Sequence, residues 1–421
     1  MLSGMAIAAR AYVVARLRMA RMRDRAAIDA HRARAMARLG HHLARAIPFY
    51  RGIDPARPDR WPIVDKQVLL DHFAAMNRAG IALDTVRDVL MRGENRIGDL
   101  AIGHSTGTSG NRGYFVVDDA ERYVWLGTLL AKALPDALWR RHRVALALPG
   151  FSRLYAAAGG GSRVTLGLFD LAEGIDRWAE RFAAFAPDTI VAPPKVLRAL
   201  ATRGLIVRGT TAFSAAEVLD PVDVPAIEAA TARPLRQIYM ATEGLLGVSC
   251  AHGTLHLAED VVAFEWEAAA GGLVQPVVTD FTRRAQAMVR YRMNDLLRLD
   301  DERCACGSAM QAVAAVEGRR DDLFLIGDAI VTPDVLRNAL LDADPRIDDF
   351  RIVQTGAAAI AAAIPPGRDA VAVQAALTRA IERVGAAAAV AVTHGIPATD
   401  ATKLRRVRRD WRPDHSSISA S

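Results

Sequence analysis

The sequence predicts an α/β protein with a long body and a small α+β unit at its C-terminal end, and two observations carry that reading. From about residue 100 onward, short apolar runs such as "RVALALPG", "DTIVAPP", "RQIYM" and "QPVVTD" alternate with Ala-rich stretches of helical period, including "DRWAERFAAF" and "PKVLRALATRG". Such alternation is expected of strands packed against helices. Near residue 318 the pattern is interrupted by Gly318 and the charge run Arg319 to Asp322, after which a new set of strand and helix signals begins. With 421 residues, 51% of them hydrophobic and 24% charged, the chain is long enough to bury more than one core.

Residues 5 to 46 have helical periodicity, and "IPFYRGIDPARPDRWPIV" then breaks it with Pro48, Pro55, Pro58 and Pro62. A further helical pattern begins near Lys66, so 1–70 is a helical lead-in to a body that extends to 318. Beyond it, "DLFLIGDAIVTPDVLRNAL" reads as a strand, a Gly-Asp turn and a helix opened at Thr332 with Pro333 as its first residue, where the missing proline N–H costs nothing. The strands "FRIVQT", "AIAAAIP" and "AAVAVTHG" and a helix from about Asp369 to Val384 complete a cap over 319–421. A cleft between body and cap is where a ligand is expected.

No stretch approaches the roughly 18 uninterrupted apolar residues of a membrane span. The N-terminal "MLSGMAIAARAYVVARLRMA" is interrupted by Arg10, Arg16 and Arg18, and reads as a helix packed on the body of a cytoplasmic protein, not as a secretion signal or membrane anchor. The net charge of +7 is uneven: residues 1–50 hold ten Arg against Asp24 and Asp29, which is +8 and leaves −1 for the remainder. That is one local basic face and not a nucleic-acid field; it is either a solvated helix surface or a dock for an acidic partner or coenzyme phosphates. Among 50 Arg there are only four Lys, at 66, 132, 195 and 403, which makes each lysine worth attention.

Several reaction classes fall away for want of their signatures. The chain has no Gly-x-Ser-x-Gly, no His-Glu-x-x-His and no Gly-x-Gly-x-x-Gly opening a helix after a strand. The polar stretch "HSTGTSGNRG" ahead of the apolar "YFVV" does not fit the Walker pattern either. Its glycines let backbone amides approach an anion, and Ser105, Thr106, Thr108 and Ser109 add hydroxyl donors, so on spacing alone it is a phosphate-binding loop or a plain turn. The three cysteines, Cys250, Cys304 and Cys306, form a four-ligand set with His256, for which His252 is an alternative. In a cytosolic protein this pattern reads as a metal site before a disulfide, and buried free thiols are the other reading.

"STGTSGNRG", "FSAAEVLDP", "YMATEG", "YRMNDLLRL", "GRRDD" and "TKLRR" occur in that order, and "IPFYR" with "WPIVDKQVLLDHF" precedes them. Together they resemble the core motifs of the adenylate-forming superfamily, specifically its phenylacetate-CoA ligase branch and relatives, over essentially the whole chain. The resemblance implies a large N-terminal adenylate-forming domain (1–318) and a small mobile α+β C-terminal domain (319–421), with a hinge near Asp321. It implies activation of a carboxylic acid, aryl in this branch, by ATP to an acyl-adenylate with release of pyrophosphate, then transfer to coenzyme A. An acyl carrier protein or an amine is the alternative acceptor, and a non-catalytic nucleotide-binding homologue the alternative class. A homodimer is compatible with the branch.

By the same resemblance, Ser105, Thr106, Gly107, Thr108, Ser109 and Gly110 grip the β- and γ-phosphates of ATP. Arg112 and Gly113 stand where Pro-Lys usually closes that motif; a planar guanidinium is not equivalent to a compact ammonium. Thr242 lies near the phosphates and Glu243 binds Mg²⁺, an ion that takes hard oxygen donors. Adenine lies against the backbone of Ala215, Ala216 and Glu217 with Tyr239 on its ring, and Asp295 and Arg319 contact the ribose. Asn294 and Met240 occupy positions usually held by Gly. Lys403, on the cap, stabilises the charge that builds up during adenylation, although Thr402 precedes it where Gly is usual and a basic run follows. A structural Zn²⁺ at Cys250, His256, Cys304 and Cys306 occurs in members of the branch. The walls of the acyl pocket are expected from Phe151, Tyr155 and Ala156 to Gly161.

Overall fold

The computed structural model describes residues 4–105, 112–148, 163–397 and 404–412. The helical lead-in is two helices, Gly4–Arg21 and Arg25–Ala46, and not the single run that its periodicity predicts. Asp24 adopts an extended backbone between them, and its carboxylate accepts from the Ala27 amide at 2.8 Å. That N-cap starts the second helix afresh, while Met22 is buried against Ile28 and Met310. The first helix lies along Asp119–Ala133, and Gly127 allows the close approach: a Cβ there would run into the Ala8 carbonyl and the Ala11 side chain. The second helix buries Met36, Leu39 and Leu43 in the core of the body.

The prolines after it set up short 3-10 turns at Pro48–Tyr50 and Pro58–Arg60, and the next helix, Lys66–Asp71, starts at the expected residue behind the Asp65 cap. The centre of the body is one large mixed sheet. Its parallel part runs Arg236–Ala241, Thr211–Ala215, Thr189–Ala192, His142–Leu146 and Val164–Leu168. Trp178, Phe182, Leu197 and Ile227, from the crossover helices, cover one face, while Tyr12, Ala131 and Leu134 pack on the other with Phe213 and Ile238. Both faces are therefore covered, most completely at the central strands Thr189–Ala192 and Thr211–Ala215, which is why the sheet reads as short apolar runs. Truncating a ring such as Phe182 would cost about 3–5 kcal/mol.

The sheet continues antiparallel through Gly244–Ser249, Leu255–Leu257, Ala312–Arg319, Asp295–Asp300, Val274–Asp280 and Val262–Ala268, with Tyr291–Arg292 pairing on Val274–Asp280. A separate three-stranded sheet, ending in Leu100–His104 and Tyr114–Asp118, carries the two ends of the polar loop.

A second core begins at Phe324. The hairpin Phe324–Ile326 and Ala329–Val331 turns at Gly327, Thr332 precedes the helix Pro333–Ala343, and Asp369 caps the helix Ala370–Arg383. These pack on a four-stranded sheet of Ala389–His394, Ala359–Ile364, Arg351–Gly356 and Val407–Arg409 around Phe324, Leu336, Phe350, Ile352 and Leu377. The expected strands and helices of this unit thus lie within a residue or two of the observed ones.

Candidate active site

The strand Arg236–Ala241 turns back into Gly244–Ser249 through a hairpin whose two central residues are Thr242 and Glu243. Gly244 is required there: its φ is +154°, and a Cβ would collide with the buried Asp280 carboxylate. The tight turn puts both side chains at the tip, with the Thr242 hydroxyl donating to Glu243 Oε2 at 2.9 Å. The Tyr291 phenol is pushed well above its ordinary pKa, by burial first and then by the Glu243 charge.

The ends of the polar loop meet this tip. The Ser105 amide donates to the Gly113 carbonyl at 2.7 Å and the Gly113 amide donates to Ser105 Oγ at 2.9 Å, which clamps the loop at its base. A side chain added at Gly113 would lie 3.7 Å from Thr242 Oγ1. Arg112 is exposed at the exit. Thr106, Gly107, Thr108, Ser109 and Gly110 lie outside the described residues, as do Phe151, Tyr155 and Ala156 to Gly161.

Asp295 opens the strand Asp295–Asp300 and pairs in register with Arg319, the last residue of Ala312–Arg319. The Tyr239 hydroxyl donates to Asp295 Oδ2 at 2.8 Å, and Arg319 Nε stands 4.0 Å from Oδ1. Burial and the Asp295 carboxylate push the Tyr239 phenol well above 10, so it stays a donor at any physiological pH. Ala215 ends the strand Thr211–Ala215, and Ala216 has a φ of +68°, a left-handed conformation uncommon for alanine. The backbone therefore breaks away from the sheet at the carboxyl end of a parallel strand, where ligands of such sheets bind.

Glu217 faces elsewhere. Its carboxylate takes Lys195 Nζ at 3.2 Å and the Leu404 amide at 3.2 Å. Lys403 lies outside the described residues, but its neighbour Leu404 is anchored beside the Ala215–Glu217 segment. The Asn294 amide, at a position where Gly is usual, donates to Asp321 Oδ2 at 2.7 Å. Met240 packs in the core under Phe213 and Ile238, next to a register shift between Tyr239 and Met240.

The cysteine set converges as the spacing predicts. Cys250 and His256 flank a hairpin, Cys304 and Cys306 sit on the facing loop, and the four donor atoms lie within 4.8 Å of one another. Cys250 Sγ is 3.7 Å from Cys304 Sγ, and Cys306 Sγ is 3.3 Å from His256 Nε2. Tetrahedral bonds of about 2.3 Å to sulfur and 2.0 Å to nitrogen give donor separations of this size, whereas a disulfide requires about 2.05 Å. The second nitrogen, His256 Nδ1, is 3.1 Å from the Met310 carbonyl, which fixes the ring with Nε2 toward the thiols. His252 is exposed and takes no part.

Sequence reasoning gave no role in this site to Tyr291, whose phenol feels the Glu243 charge. Tyr291 stood within a recognised motif, but nothing in the motif singled it out.

No family model matches the chain, and no curated protein sequence does. Among solved structures, 342 chains match. One is 2-hydroxyisobutyryl-CoA ligase in the post-adenylation state with 2-HIB-AMP, 20% identical over 91% of this chain and 89% of that one, with a TM-score of 0.66. The same ligase in the thioesterification state, with 2-HIB-AMP and CoA, gives 20% identity, 90% of each chain and a TM-score of 0.53. ATP-bound MatB from Rhodopseudomonas palustris gives 14% identity, 73% of this chain, 67% of that chain and a TM-score of 0.55. The chain thus has the fold of the adenylate-forming ligases.

Proposed function

We propose that the protein activates a carboxylic acid with ATP and then transfers the acyl group to the thiol of coenzyme A. The observation that carries this is the meeting of the clamped loop base Ser105/Gly113, the Thr242–Glu243 hairpin tip and the Tyr239–Asp295–Arg319 cluster. An anion cradle, a hard-oxygen metal ligand and a ribose-binding carboxylate are what a bound Mg²⁺-ATP requires.

In the first step a carboxylate oxygen attacks the α-phosphorus, the bond to the β-phosphate bridging oxygen breaks, and pyrophosphate leaves. In the second, the coenzyme A sulfur attacks the acyl carbonyl, AMP leaves and the thiol proton is lost. Asp295 and Arg319 orient the ribose in both. Lys403, carried by the 319–421 cap, stabilises charge in the first step only, and Asp321 serves as the hinge between the 1–318 domain and the cap. Glu243, with the Thr242 hydroxyl beside it, is the carboxylate that would hold Mg²⁺, which supplies charge neutralisation to the phosphates. Cys250, His256, Cys304 and Cys306 would hold a structural Zn²⁺.

An aryl acid is the substrate class we favour, on the resemblance to the phenylacetate-CoA ligase branch. Carboxylate-dependent ATP-pyrophosphate exchange over a panel of aryl and short acyl acids tests reaction class and substrate together. Exchange with an aryl acid supports the reading, and exchange with none of the acids overturns it. A carrier protein as acceptor has one observation in its favour: Arg18, Arg21, Arg34 and Arg38 line a groove between the first two helices. Salt-sensitive acyl transfer to an acidic carrier protein, with none to coenzyme A, would select that acceptor. No described helix is long and apolar enough to cross a membrane, and a supply of ATP and coenzyme A accords with a cytoplasmic location.

A further inference from the structure

An open groove runs between the helices Gly4–Arg21 and Arg25–Ala46, with Arg18 and Arg21 from the first and Arg34 and Arg38 from the second; Met22, Ala27 and His31 complete its lining. Arg18 and Arg21 are three residues apart and Arg34 and Arg38 four, so each pair shares one face of its helix, a spacing at which like charges are destabilising. The carbonyl end of the first helix offsets that cost for Arg18 and Arg21. Arg34 and Arg38 lie in the interior of the second helix and have no such compensation.

Neither pair is neutralised. The two acids of this region are used otherwise, Asp24 as the cap that accepts from the Ala27 amide at 2.8 Å and Asp29 opposite Arg32 at 3.6 Å. Among the described residues none of the four groove arginines makes an ion pair, whereas exposed arginines elsewhere meet an acid, as Arg57 does Asp59 at 2.8 Å and Arg92 does Glu94 at 3.1 Å. The crowding is felt by His31, whose pKa is lowered by burial and, after it, by the charges of Arg18 and Arg34. Four cations are thus gathered in a concave place with no anion of the chain's own.

The groove is also held in shape. Arg25, at the start of the second helix, grips Glu259 with bonds of 2.7 and 2.9 Å, and His31 Nε2 lies 2.9 Å from the Asp260 carbonyl. The first helix is seated on Asp119–Ala133 at Gly127. A preformed site spares a ligand the cost of ordering it. Leu17 stands one turn ahead of Arg21 on the same helix face and is 50% exposed, an apolar edge for which a phosphate group alone has no use.

We propose that this groove docks an acidic amphipathic helix of a second protein, with carboxylates one turn apart meeting the two arginine pairs and an apolar side chain resting on Leu17. The inference goes beyond the acyl-transfer reading and holds with either acyl acceptor. A nucleic acid needs a more extended positive field, and the charge of the chain outside residues 1–50 is −1. A bilayer surface is flat and does not enter a groove, whereas a helix lays one face into it.

The test measures, by fluorescence anisotropy, binding of a labelled amphipathic helical peptide with glutamates one turn apart and leucine beside them to the full chain. Arg34→Glu/Arg38→Glu is expected to raise Kd tenfold or more, and Arg18→Gln/Arg21→Gln, on the other wall, threefold or more, so that neither result hangs on one variant's folding. Arg379→Glu/Arg383→Glu, an exposed pair of the same spacing on the helix Ala370–Arg383, is expected to stay within twofold. Equal loss in that control, no loss in either wall variant, equal affinity for the peptide with Gln in place of Glu, or no binding by the parent overturns the docking site. Binding to phosphatidylserine vesicles that the wall variants abolish while peptide binding persists would make the groove a membrane contact instead.

Discussion

Tyr239 and Asp295 show how much a single contact fixes. The phenol is locked as a donor to Oδ2, which leaves the other oxygen of the carboxylate toward Arg319. A hydrogen bond to an ionised group is worth about 1.5–3 kcal/mol. Tyr239→Phe is therefore expected to weaken AMP and ATP alike, by about tenfold or more, because the carboxylate we propose as the ribose contact loses its fixed orientation. Titration of both nucleotides checks this, and a loss confined to ATP would place Tyr239 at the phosphates instead. Lys403→Ala is expected to abolish adenylate formation while sparing thiolation of a supplied acyl-adenylate. Equal loss of both half-reactions would remove Lys403 from the adenylation step.

Two element-scale devices depend on residues far apart in sequence. The hairpin carrying Cys250 and His256 and the loop carrying Cys304 and Cys306 face each other with their four donor atoms within 4.8 Å of one another. A zinc ion would staple them, and metal-coupled folding makes its removal a loss of stability. One zinc per chain is expected in the purified protein, with none in Cys304→Ser and a lower melting temperature after chelation; a parent without stoichiometric zinc refutes the staple. The second device is the Asn294–Asp321 hydrogen bond, which ties the end of one sheet strand to the expected pivot. Asn294→Gly removes it, and faster hydrogen exchange at residues 319–323 with unchanged protection in the sheet is the expected outcome. Uniform loss of protection would mean that Asn294 supports the body and not the pivot.

At the scale of the whole molecule, an ion-pair network joins the two cores. Arg406 reaches Asp223 with two bonds of 2.7 and 2.9 Å, both side chains buried, and also contacts Asp349 at 2.9 Å. Arg198 crosses the other way to Asp348 at 2.9 Å, and Arg405 bonds Asp322 within the cap side. Removing one partner strands the other without solvent, at a cost of about 3–5 kcal/mol. Asp223→Asn should therefore undock the C-terminal unit, seen in calorimetry as two separated transitions where the parent has one. A single transition merely shifted downward would mean that this network stabilises the body alone.

Much of this was already legible in the chain. Short apolar runs alternating with helical segments announced an α/β body, with Thr189–Ala192 and Arg236–Ala241 among its strands, and turn and cap chemistry at Gly327, Pro333 and Asp369 marked the second unit within a residue or two. The ordered motifs named Thr242, Glu243, Tyr239, Asp295 and Arg319, and Cys spacing named the four donors, because local chemistry and short spacings survive in one dimension. Periodicity, by contrast, ran straight through Asp24, since a cap interrupts the backbone without interrupting the apolar pattern. Only the tertiary structure decided that His256 and not His252 joins the thiols and that Asn294 holds Asp321. Each of these depends on register between strands or helices distant in sequence, and no local propensity encodes a distance across a sheet.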